Sequence, residues 1–206
     1  MTNQEQSPLI AEVDYPKAKE LADLTSLVHD VDICIKTCDR LIDFMGQENQ
    51  DTLLQSSLWT SALIIYARCF GAGKRFGITE EFLSKLDGDP VGVHKYYIDM
   101  LSKHIAHSVN PFKQIKIGLV LSDPQIERGV IGIINLSQSH ITANKDRVDT
   151  LRRLCIEIGK KLAADGELCI EEALKIGKEL PLDDLYEKSY MQTVTPGPDD
   201  AGRPRE

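Results

Sequence analysis

Apolar positions recur at Leu21, Leu24, Val28, Val31, Ile35, Cys38, Ile42 and Met45, alternating steps of three and four that close at Gly46. This spacing predicts a long helix that opens at Pro16, where the fixed φ of proline suits a first turn, and packs nearly parallel to its neighbours. Leu27, Cys34 and Leu41 flank the stripe and widen it enough for a bundle core. After the polar linker GQENQDT, a second helix is expected from about Asp51 to Gly71. Leu54, Leu58, Trp59, Ala62, Leu63, Ile65, Tyr66, Cys69 and Phe70 spread around so much of it that it should be buried between neighbours. Thr79, followed by Glu80 and Glu81, signals a short capped helix that DGDP ends.

A third major helix is predicted from about Val91 to His107. On a regular α-helical wheel Tyr97, Met100, His104 and His107 share the side of Val93, while Lys95, Asp99, Ser102 and Lys103 lie opposite. After Asn110-Pro111 the period changes to two. QIKIGLVL puts Ile115, Ile117, Leu119 and Leu121 on one side, GVIGIINL is β-branched, and SDPQIER supplies the turn, so a β-hairpin is inserted among helices. A fourth helix starts near Thr142 or Asn144 and carries Val148, Leu151, Cys155, Ile158 and Leu162 inward. Gly166 interrupts or ends it, Leu168–Leu180 is again helical, and Pro181 stops regular structure. The expected organisation is therefore a flexible segment over 1–15, a mainly α, up-and-down helical bundle over 16–180 with a β-hairpin at about 114–136, and a largely disordered tail over 181–206.

Length changes this picture little, since 206 residues suit one domain. Charge changes it more. A net charge of -8 disfavours RNA as a partner, because neutralising phosphates needs clustered Lys and Arg. The 5 cysteines, all within apolar helical patterns, read as thiols of a reducing cytoplasm, and no apolar run is long enough to span a membrane.

The candidate chemistry narrows quickly. Around FGAGKRFG, Arg68 stands where a phosphate loop needs its first glycine and Arg75 where it needs a hydroxyl, and the segment follows a helix, so it reads as helix termination. Cys34 and Cys38 stand one turn apart without a second ligand pair nearby; they read as core, and neither a metal nor another cofactor is expected. Arg68, Lys74, Arg75, Lys103, Lys113 and Lys116 could form a basic rim, though ordinary solvated charge is the simpler account. His104 and His107 are two titratable groups on one apolar stripe beside a helix end, a place where pKa values shift.

The segment KHIAHSVNPF, with WTSALIIYARCF before it, resembles the R-[ND]-K-x-x-A-H-S motif of bacterial members of the HEPN superfamily, including helical proteins linked to abortive infection. The resemblance aligns Lys103, Ala106, His107 and Ser108 with the motif. It implies a helical bundle, commonly dimeric, and in many members a metal-independent ribonuclease. It also exposes a departure: Leu101 stands where the family has its arginine, and Ser102 follows it. Losing a cation that holds phosphate removes about 3–4 kcal/mol of transition-state stabilisation, by analogy with a lost oxyanion donor. The expectation is thus a degenerate, HEPN-like binding or regulatory domain of a bacterial defence or stress system, with His104, Lys103, Ser108 and Asn110 as binding residues. The helix ending at His107 would pair two copies into a homodimer. Two alternatives stand beside it: a ribonuclease using His107 with a displaced arginine such as Arg68, and a scaffold whose hairpin binds a protein partner.

Overall fold

The structure, a computed structural model, describes residues 9–48, 51–71, 75–106, 113–139, 143–189 and 197–202. In chain order, helices α1 (Pro16–Met45), α2 (Thr52–Arg68), α3 (Glu80–Leu83) and α4 (Pro90–Asp99) precede one antiparallel hairpin, β1 (Lys113–Leu121) and β2 (Val130–Ser139), and α5 (Lys145–Gly177) and α6 (Leu182–Glu187) follow it. The fold is mainly α with an inserted β-hairpin, as the periodicity predicts. Helix starts are set by side chains that satisfy otherwise unpaired N–H groups. Asp51 accepts from Leu53 N and Leu54 N, Thr79 from Phe82 N, Asp89 from Gly92 N, and Asn144 from Arg147 N. Gly88, at φ 87°, makes the left-handed turn between α3 and α4.

The chain divides into two compact units, residues 1–22 with 167–206, and residues 23–166. In the first, the Tyr15 hydroxyl donates to the Ala173 carbonyl at 2.7 Å, and Lys17 pairs with Glu172 at 2.8 Å.

In the second unit, paired contacts run in opposite directions along neighbouring helices, which is up-and-down packing. Asp30 meets Arg68 and Cys34 meets Ala62 across α1 and α2. Val31 lies against Gly159, Cys34 against Cys155 and Asp39 against Arg152 across α1 and α5. Between α2 and α4 the core is aromatic: Trp59 and Tyr66 each meet Tyr97 edge-on, and Phe70 stacks near His94 at 4.1 Å. Tyr97 then ties α4 to α5 by donating to the Arg147 carbonyl at 2.6 Å.

Four expectations need correction. The α1 stripe buries Leu24, Val31 and Cys38 as expected, but its inward direction is shifted toward Leu27, Cys34 and Leu41, each at 0 % exposure, while Val28, Ile35 and Ile42 are half-buried, because α2 and α5 approach from two sides and the inward direction falls between them. Helix α2 is buried on one face only, with Leu54 and Ile64 exposed. Helix α5 runs through Gly166 to Gly177, and α6 begins directly after Pro181, a residue whose extended backbone suits the position before a first turn. The third helix is not α-helical throughout: Met100–Ile105 is a π-helical segment, whose wider turns invalidate the regular wheel beyond Asp99.

All five cysteines are buried free thiols. The hydrogen bond with Cys155 and then burial push the Cys34 thiol far up, the hydrogen bond to Cys34 and burial do the same for Cys38, and burial raises Cys69 to about 11. Since all five thiols are buried away from the reagent, Ellman's reagent should react with none in the native chain and with all five in guanidinium. Rapid native reaction of even one would contradict this packing.

Candidate functional site

Asp30 is an acid in the apolar stripe of α1, 4 % exposed. Burying a carboxylate is costly unless cations and donors replace its water, and two arginines do so. Arg68 Nη2 lies 3.1 Å from Oδ1 and Arg75 Nη2 lies 2.6 Å from Oδ2. Arg75 also donates to the Ser26 hydroxyl and to the Arg68 carbonyl, while Asp23 accepts from Phe76 N at 3.1 Å. Together these contacts strap the segment after α2 onto α1. Ile78 N donates to the Cys69 carbonyl at 2.8 Å, and Gly77 is needed there because a Cβ would lie 2.9 Å from the Gly71 carbonyl oxygen. The stretch after α2 therefore ends a helix, and Arg68 and Arg75 serve Asp30.

The histidines divide differently from expectation. His94, which drew no attention in the sequence, is buried; its Nδ1 shares a 3.0 Å hydrogen bond with the Tyr66 hydroxyl. Burial lowers its pKa, with Glu80 raising it and Lys95 lowering it further. His104 is half-buried within the π-helical segment, as is Leu101. Lys103 is exposed and paired with Asp99 at 2.8 Å. His107, Ser108, Asn110 and Lys74 lie outside the described residues. The structure thus joins Arg68 to Arg75 through Asp30. The apolar side of α4 as far as Met100 is spent inside the chain, with Tyr97 at 1 % and Met100 at 6 % exposure.

The hairpin is the surface that departs most from ordinary solvation. Register pairs Ile115 with Ser137, Ile117 with Asn135, Leu119 with Ile133 and, past a bulge, Leu121 with Val130. The six large apolar side chains of this face are each 60 to 71 % exposed. On the opposite face Ile134 and Leu136 lean over Gly118, where a Cβ would meet them at 3.3 and 3.2 Å, and with Val120 they are exposed at only 38 to 53 %. The tip is pinned: Asp123 accepts from Gln125 N at 2.9 Å, and Ser122 N donates to the Gly129 carbonyl at 3.0 Å. Alternation revealed the face, but its exposure could not be read from the pattern. Asp30 and His94 did carry a signal, each being a polar residue at an inward helical position.

Among the described residues no group of three or more His, Cys, Asp or Glu side chains could hold a metal, and no helix is long and apolar enough to cross a membrane.

Two outcomes follow from this geometry. Asp30→Ala should cost about 3–5 kcal/mol, because it strands two cations, one largely buried, whereas Arg68→Ala, at an exposed guanidinium, should cost under about 1 kcal/mol; urea titrations of both variants measure the difference. His94 gives a pH signature. Its folded pKa lies below the ordinary 6.5, so the unfolded chain binds a proton first as pH falls, and stability present above that value declines below it. The slope from one proton approaches about 1.4 kcal/mol per pH unit, and His94→Asn should lose that component of the acid-side decline in melts across the range.

Comparison with protein-family models, with curated proteins and with solved structures yields no match to this chain, so its chemistry is read from its own residues.

Proposed function

We propose that this chain is a helical binding module without nuclease chemistry of its own, and that the β-hairpin is its recognition element. The observation that carries this reading is the open face of Ile115, Ile117, Leu119, Leu121, Val130 and Ile133, at 60 to 71 % exposure. Contiguous apolar patches of this kind mark interaction sites, because leaving them in water is unfavourable. The displaced-arginine ribonuclease is less well supported: Leu101 carries no cation, and Arg68 is committed to Asp30. The resemblance of KHIAHSVNPF to HEPN proteins favours a regulatory role in bacterial defence or stress.

The inert native thiols make the test direct. Ile117→Cys introduces a thiol on the open face, and at nanomolar concentration it should react with a maleimide nearly as fast as a free cysteine. Protection at that dilution would mean that the chain covers its own face, and the hairpin reading would fail. Chemistry is tested separately. In EDTA, wild-type protein should cleave single-stranded RNA no faster than His107→Ala; turnover that this substitution abolishes, with circular dichroism unchanged, would install the ribonuclease in place of the binding module.

A further inference from the structure

We propose that the hairpin face is covered by a second copy of this chain, the two hairpins packing face to face about a two-fold axis near the Leu119–Ile133 pair. This rests on the hairpin being the recognition element and names its partner. Three observations favour a second copy over other occupants.

The first is area. Six side chains that are 60 to 71 % exposed each present roughly 100 Å², so joining two faces removes on the order of 1,200–1,300 Å² from water, within the range of specific interfaces. The second is charge. From Ile115 to Leu121 the face carries no charged residue, Lys113 continues the alternation only at the start of β1, and the strands hold no acid, so two copies centred on Leu119 and Ile133 bring uncharged apolar residues together at the middle of the seam. A net charge of -8 sets the chain as a whole against an anionic lipid surface. The third is the architecture of the strands themselves. A two-stranded hairpin is marginal in water and gains independent stability from a further layer. Packing two strands on two, with sheets about 10 Å apart, supplies that layer. Asn135 and Ser137, opposite Ile117 and Ile115, give the patch a polar margin. A face centred on a cross-strand pair is also its own complement under a two-fold rotation, as an isologous interface requires.

Sedimentation equilibrium of the full chain from nanomolar to high micromolar concentration, with maleimide labelling of Ile117→Cys over the same range, tests this. The expected result is a dimer whose formation slows labelling at least tenfold, and whose dissociation constant rises at least a hundredfold in Leu119→Thr/Ile133→Thr, a pair that keeps β-branched residues in the strands. Ile134→Thr/Leu136→Thr, on the opposite face, should leave dimerisation within about threefold of wild type, and circular dichroism checks that both variants retain their helices. A dimer that survives Leu119→Thr/Ile133→Thr overturns pairing through this face. A wild-type monomer with fast labelling throughout also overturns self-pairing while leaving the hairpin free to recognise something else. A monomer with labelling slow at every concentration sinks both readings, and a monomer that floats with phosphatidylcholine vesicles replaces the second copy with lipid.

Discussion

The larger unit depends on close approach at Cys34. Its side chain has no exposure, donates to the Ala62 carbonyl on α2 at 3.4 Å and lies 3.6 Å from the Cys155 sulfur on α5, so three helices meet at one small residue. A larger side chain at any of these positions would push backbones apart in an interior with little room to yield. Asp30, one turn earlier on α1, exploits the same proximity. Because α2 comes this close, Arg68 reaches the carboxylate, and the chain beyond α2 can fold back to bring Arg75 to its other oxygen. The buried acid is tolerated because α1 and α2 are already held together beside it.

Helical periodicity made most of this arrangement legible. Pro16, Asp51, Thr79 and Asn144 mark helix starts through side-chain chemistry that acts within one turn, and such local signals survive in sequence. Errors arose where tertiary packing decides. Whether Leu24 or Leu27 points most directly inward on α1 depends on where two neighbours sit, and the exposure of Ile64 depends on which side of α2 they leave open. The π-helical turn at Met100–Ile105 has no compositional marker, since MLSKHI reads as ordinary helix; it shifts His104 out of the phase a regular wheel assigns. The candidate site was less legible still. His94 and Asp30 are polar residues on apolar stripes, whereas the motif that stands out in the sequence centres on His107, which lies outside the described residues.

Arg68 shows why a cation cannot be assigned a role from proximity in sequence alone. A phosphate clamp needs a guanidinium whose charge is available to the substrate. Here Asp30 neutralises part of that charge, and the 60 % exposure of the Arg68 side chain means that the rest of its field is screened by water. Moving it toward a phosphate would leave Asp30 with Arg75 alone, so any gain at a reacting centre would be offset by loss at a buried carboxylate.

The hairpin raises the reverse problem, an apolar pattern without an interior. Strict alternation at Ile115, Ile117, Leu119 and Leu121 is how a strand buried on one side is written, and β1 pairs with β2 in the register that gathers those residues with Ile133 and Val130. Yet no described residue covers them deeply enough to bring any of the six below 60 % exposure. The opposite face has already found a partial solution within the strands, by letting Ile134 and Leu136 close over Gly118. No glycine opposes the residues of the open face, so the same accommodation is not available there. On the proposed reading, the burial that this alternation encodes is supplied by a partner surface, with the helices as the support of the hairpin.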